Sequence, residues 1–120
     1  MSEGHTPPTG AYAAGCEPFV MHELAPAAGT LHLLLHGELD LVSAPEVERR
    51  IVELAADRDA LVVDLRALCF LDSSGLRALI SASREAARQG CTVELTRGRP
   101  EVMRIFDLAG LTERLPFLAR

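Results

Sequence analysis

Two adjacent serines in Leu71-Asp-Ser-Ser-Gly-Leu76 are where the residue types of this chain come closest to chemistry. Asp72 or Ser73 can cap a following helix, since a short polar side chain there satisfies an amide of the first turn. Capping accounts for one polar residue and leaves the second serine and Gly75 less determined. Three chemistries compete for them. A hydrolase nucleophile would need a sharp strand-to-helix elbow, but Gly-x-Ser-x-Gly is absent. The four histidines all lie at or before position 36, and no motif ties one to a Ser–His–Asp arrangement. Phosphate binding at the helix start is weakened by the single glycine and by the charge of Asp72. Phosphorylation fits best of the three. A serine hydroxyl in a first helical turn faces outward, and the helix dipole tolerates a phosphate there. The phosphate adds about −1.5 to −2 charge beside Asp72, enough to block docking of a partner without unfolding the chain.

Other candidates are weaker. His32 and His36 would suit a metal on a helix, but in a strand that spacing separates them by roughly 13 Å. Glu38 and Asp40 fall on a loop between a strand and a helix, where α/β folds place recognition surfaces. Cys16, Cys69 and Cys91 form no zinc spacing, and an odd count gives no disulfide framework. Cys69 and Cys91 sit in apolar surroundings and are expected to pack as small hydrophobes. All twelve basic residues are Arg, so Schiff-base chemistry and a phosphate-binding P-loop lysine are excluded.

These residues need elements to hold them. Residues 1–16, with Gly4, Gly10, Gly15 and the pair Pro7-Pro8, read as a flexible tail. Phe19–Leu24 and Thr30–His36 suit two strands, and the turn Pro26-Ala-Ala-Gly29 makes them an antiparallel hairpin. Ser43-Ala-Pro-Glu46 is a capping box opening a helix whose Val47, Ile51, Leu54 and Ala55 recur at helical spacing. Ala60–Leu65 reads as a strand buried on both sides. Arg66–Phe70 then leads to a second helix, from Ser73 to about Gln89, closed by Gly90. Leu76, Leu79, Ile80 and Ala87 form its inward stripe. A strand over Cys91–Leu95 follows. The third helix runs from Pro100 to Gly110, with Val102, Ile105 and Phe106 inward, and Leu111–Arg120 supplies an edge strand or coil. The order ββαβαβα predicts an α/β fold, a mixed four- to five-stranded sheet with helices packed against it.

The chain has 120 residues, enough for one core and too few for two. Apolar residues make up 48% and aromatics 4%, so the core must be aliphatic, and stacking platforms for single-stranded nucleic acid are lacking. Net charge is −5, which argues against direct nucleic-acid binding. The charge divides into −7 over residues 1–60 and +2 over residues 61–120. No apolar run reaches membrane-spanning length and the N-terminus lacks secretory character, so a reducing cytoplasm is expected and no membrane partner.

The stretch Leu61-Val-Val-Asp-Leu-Arg-Ala-Leu-Cys-Phe-Leu-Asp-Ser-Ser-Gly-Leu-Arg-Ala-Leu-Ile80 closely resembles the signature of bacterial anti-sigma factor antagonists of the STAS domain family. Gly37-Glu-Leu-Asp-Leu41 with Ser43-Ala-Pro-Glu46 resembles its second motif, and Gly98–Leu111 its third. The match runs in order from about Glu17 to Leu118, so residues 17–120 are expected to be one such domain. The resemblance implies a partner-switching module without catalysis, metal or cofactor. In the family, the unphosphorylated form binds an anti-sigma factor that is also a serine kinase. The kinase releases it by phosphorylation and a serine phosphatase resets it. The family's modified residue precedes the glycine, here Ser74, with Ser73 as second choice. By the same carry-over Asp72, Ser73, Gly75 and Arg77 belong to the partner face, joined by Gly37, Glu38 and Asp40. The alternative is a STAS subunit of a transport or sensory complex that binds without phosphorylation. Family members usually continue into a further strand and helix, so Leu115, Phe117 and Leu118 are expected to be exposed and to favour weak self-association.

Overall fold

In a computed structural model the described residues are 16–25, 30–115 and 117. The chain forms β1 (Val20–Leu24), β2 (Leu31–Leu39), α1 (Ala44–Ala55), β3 (Ala60–Leu71), α2 (Ser73–Arg88), β4 (Thr92–Thr96) and α3 (Pro100–Leu108). The four strands make one mixed sheet in the order β1-β2-β3-β4. β1 and β2 are the expected antiparallel hairpin, with Val20 opposite His36 and Leu24 opposite His32. β2, β3 and β4 run parallel, joined through α1 and α2. The expected tail, apart from Cys16, and the turn Pro26–Gly29 lie outside the described residues.

Alternation in β2 buries Leu31, Leu33 and Leu35, while His32, Leu34 and His36 stay half-buried on the other face. The unbroken run Leu61–Leu65 in β3 is buried throughout, as a central parallel strand requires. Helices α1 and α2 present Val47, Ile51, Leu54, Leu76 and Leu79 to the core. The inward stripe of α2 differs from expectation at one end: Ala82 and Ala86 are buried, Ile80 is half-buried and Ala87 exposed. In α3, Met103 is buried and Ile105 half-buried. Phe106 is the largest fully buried side chain, meeting the Phe117 ring edge-on at 5.0 Å.

Three expectations are corrected. β2 and β3 are longer than their apolar runs: β2 continues through Gly37 to Leu39, and β3 through Arg66 to Leu71. Two register shifts absorb the misfit, and the second makes Cys69 a bulge residue, because Gly37 pairs with Leu68 while Glu38 pairs with Phe70. Cys69 does not pack as a lone hydrophobe but forms a disulfide with Cys16, Cα to Cα 5.7 Å. Cys91 is free and buried, as expected. Leu115 and Phe117 are half-buried against the core and not laid open, since Phe117 packs on Phe106 and under the Arg97 guanidinium. Leu118 lies outside the described residues.

Candidate functional site: the start of the second helix

Asp72 is the N-cap of α2, in extended conformation, and its carboxylate accepts a hydrogen bond from the Gly75 amide at 3.0 Å. Its carbonyl accepts from the Leu76 amide, and its own amide donates to the Leu39 carbonyl at 3.2 Å. One residue therefore caps the helix and ties it to the end of β2. Because Asp72 does the capping, neither serine is needed for it. Ser73 is exposed and Ser74 half-buried, and among the described residues no hydrogen bond engages either hydroxyl.

Gly75 has a packing reason that sequence spacing does not reveal. A Cβ there would stand 2.7 Å from Leu39 Cγ, 2.7 Å from Leu71 Cδ1 and 2.8 Å from the Leu39 carbonyl oxygen. The first turn of α2 is thus seated directly on β2, and Gly75 lies beneath the surface instead of on it. Arg77, four residues beyond Ser73, is exposed on the same side of the helix.

The second predicted cluster is placed differently. Gly37 and Glu38 are strand residues at the end of β2, and Glu38 is only 2% exposed, so neither offers a side chain to a docking surface in this arrangement. Gly37 adopts φ +97°, and a Cβ would stand 2.6 Å from the Glu17 carbonyl oxygen and closer still to that of Pro18. Asp40 is half-buried and builds the β2–α1 loop: its carboxylate accepts from the amides of Val42 and Ser43 at 3.0 and 3.2 Å. The expected capping box of α1 does not form. Ser43 Oγ accepts from the Asp40 amide at 3.0 Å and donates toward the Glu38 carbonyl at 3.1 Å, while Glu46 is exposed.

What this loop exposes is apolar. Leu41 and Val42, 72% and 87% accessible, stand out at its tip, and Phe70 is also exposed on β3 beside the α2 cap. None of these three belongs to the charged cluster expected from the sequence. The available signal was an apolar pair, Leu41-Val42, directly before a helix cap, where loops ordinarily carry polar residues. The candidate site therefore comprises Ser73, Ser74 and Arg77 at the α2 start and the exposed Leu41 and Val42 on the loop that follows Leu39, the residue bonded to the α2 cap. Its mixed apolar and polar character suits protein recognition.

Among the described residues no cluster of three His, Cys, Asp or Glu is arranged to hold a metal ion. Asp64, a carboxyl held below its ordinary range, lies at the β3–β4 pair, away from Ser73 and Ser74. Burial opposes its charge. The guanidinium and amide of Arg66 and the Thr96 hydroxyl, donating at 2.7 to 3.0 Å, outweigh that and lower the carboxyl to about 2. A cavity of about 650 Å³ lies further along α2, with Ile80, Arg84 and Ala87 facing Val93, Leu111 and Leu115, and neither Ser73 nor Ser74 lines it. No helix among the described residues is long and apolar enough to cross a membrane.

The STAS domain family model matches residues 23–119. The anti-sigma-B factor antagonist of Bacillus subtilis is 29% identical over 84 residues, covering 70% of this chain and 77% of the relative. The anti-sigma-F factor antagonist RsfB of Mycobacterium tuberculosis is 43% identical over 58 residues, 48% of each chain. The crystal structure of an anti-sigma factor antagonist from Mycobacterium paratuberculosis superposes with a TM-score of 0.74 at 28% identity, covering 86% of this chain and 87% of that one. With the mixed α/β sheet and these matches in agreement, the chain belongs to the STAS domain family.

Proposed function

We propose that this protein is an anti-sigma factor antagonist whose docking face is the start of α2 with the adjoining β2–α1 loop, switched by phosphorylation of Ser74. The observation that carries the reading is the division of labour at the helix start. Asp72 caps α2, leaving two serine hydroxyls unengaged on a face that also presents Leu41, Val42 and Arg77. A phosphate there sits at the positive end of the helix, so the fold tolerates it. Docked against a partner, the same phosphate must be desolvated and lies beside the Asp72 carboxylate, which opposes binding. The named relatives support the partner class, an anti-sigma factor. That this partner is also an ATP-dependent serine kinase, and that a phosphatase reverses the mark, belongs to the same proposal.

Ser74, directly before Gly75, is the residue in the family position; Ser73 is the more exposed neighbour and the alternative. Mass spectrometry after incubation with the cognate kinase and ATP is expected to place one phosphate on Ser74. Ser74→Ala should keep full affinity for the anti-sigma factor in the presence of ATP. Ser74→Asp should bind about 30-fold more weakly, a loss of about 2 kcal/mol. Equal affinity for the two variants, with no phosphate on either serine, would leave the chain a binding subunit that acts without this switch.

A further inference from the structure

Cys16 and Cys69 are 53 residues apart in sequence, yet the fold brings their Cα atoms to 5.7 Å and joins their sulfurs. Both positions follow from the backbone around them. Cys69 is the extra residue of the β3 bulge, so its side chain is released from strand pairing and directed at the end of β2, with Sγ 3.4 Å from the Gly37 carbonyl oxygen. Cys16 opens the segment that crosses the same spot: the carbonyls of Glu17 and Pro18 pack on Gly37, leaving no room for a side chain. The Glu17 carboxylate also lies 3.7 Å from His36 Nε2. Gly37 is followed by Glu38, Leu39 and Asp40, and the Leu39 carbonyl anchors the α2 cap. Cys69 is three residues before that cap. The bond therefore sits at the root of both strands that carry the docking face.

We propose that Cys16 and Cys69 are a reversible thiol–disulfide modification site, a clamp holding the Cys16–Phe19 segment over the end of β2 and closing one edge of the docking face. Reduction by a low-molecular-weight thiol opens it. The small thiolate attacks Cys16 Sγ, the sulfur–sulfur bond breaks, and Cys69 leaves as a thiolate that takes up a proton. A second small thiolate then attacks the sulfur of the first, forming the small disulfide, and Cys16 leaves as a thiolate that takes up a proton. Two small thiols are oxidised to one disulfide while the protein disulfide is reduced to two thiols. The third cysteine serves as an internal contrast. Cys91 is buried, and burial together with the nearby Asp59 carboxylate pushes its thiol pKa up, so it stays out of the exchange.

The clamp stands on geometry alone; its effect on docking rests on the antagonist reading. The test equilibrates the full chain in buffers of varied reduced to oxidised glutathione ratio, quenches with an alkylating agent under denaturing conditions and counts adducts by mass. Three adducts are expected in reducing buffer and one in oxidising buffer. Three adducts at every ratio overturn the proposal. In parallel, hydrogen exchange of the amides of Phe19–Met21 and Gly37–Leu39 should slow about tenfold on oxidation. The difference should vanish in Cys16→Ser and in Cys69→Ser, and exchange indifferent to redox state overturns the clamp. A third arm measures anti-sigma factor affinity, expected to be about tenfold weaker for the oxidised chain. Equal affinity in both states, with exchange still responsive, overturns control of docking and keeps the antagonist reading. No binding in either state or by Cys16→Ser fails the antagonist reading, while responsive exchange still supports the clamp.

Discussion

At the start of α2 the side chain that builds the helix is not the side chain proposed to switch it. Asp72 spends its carboxylate on the Gly75 amide, and the serines beside it carry no structural load. The two roles should therefore separate by mutation. Asp72→Ala is expected to cost about 1 kcal/mol of stability, read from the urea midpoint. Ser73→Ala and Ser74→Ala should shift that midpoint by less than about 0.5 kcal/mol. Residue type and position narrow the cap to Asp72 or Ser73, and the bond from the Gly75 amide to the Asp72 carboxylate decides between them. Gly75 was legible only as a motif letter, since its reason is the approach of Leu39 from another element. Ser43 shows the opposite failure. Its spacing to Glu46 fits a capping box, but Asp40 and the Glu38 carbonyl, both outside the helix, hold the hydroxyl instead.

Among the elements, α2 was read nearly to the residue because cap, apolar period and terminal glycine agree. β3 was read at half its length. Its first half is a plain β-branched run, whereas Arg66 and Cys69 interrupt the second half and mimic a loop. Those interruptions are the bulges, which exist only relative to β2 and so leave no local pattern. Asp64 joins β3 to β4 through Thr96, whose hydroxyl donates to the carboxylate at 2.7 Å and accepts from the Leu65 amide at 2.9 Å. A carboxyl held at about 2 in the fold and near 3.8 when unfolded binds fewer protons folded than unfolded. Its contribution is present above the unfolded value and fades as pH falls from about 4 to about 2, at most about 2 kcal/mol in all. Asp64→Asn should flatten that part of the stability curve, measured by urea titration at stepped pH.

Over the whole molecule, the disulfide is the feature that composition argued against. An odd cysteine count and the expected reducing environment both favoured free thiols, and only the meeting of residues 16 and 69 in space pairs them. By loop-entropy arithmetic, a cross-link of that span stabilises by up to about 4 kcal/mol. Reductant should therefore lower the urea midpoint of the wild-type chain and leave that of Cys16→Ser unchanged. The rest of the architecture followed from alternation of strand and helix, because crossover connections in so short a chain permit few arrangements. Sheet order here equals chain order, β1 through β4. During synthesis, then, each strand leaving the ribosome finds its neighbour already made. The hairpin can serve as a template on which β3 and later β4 are laid down, with no strand inserted between two that have already joined.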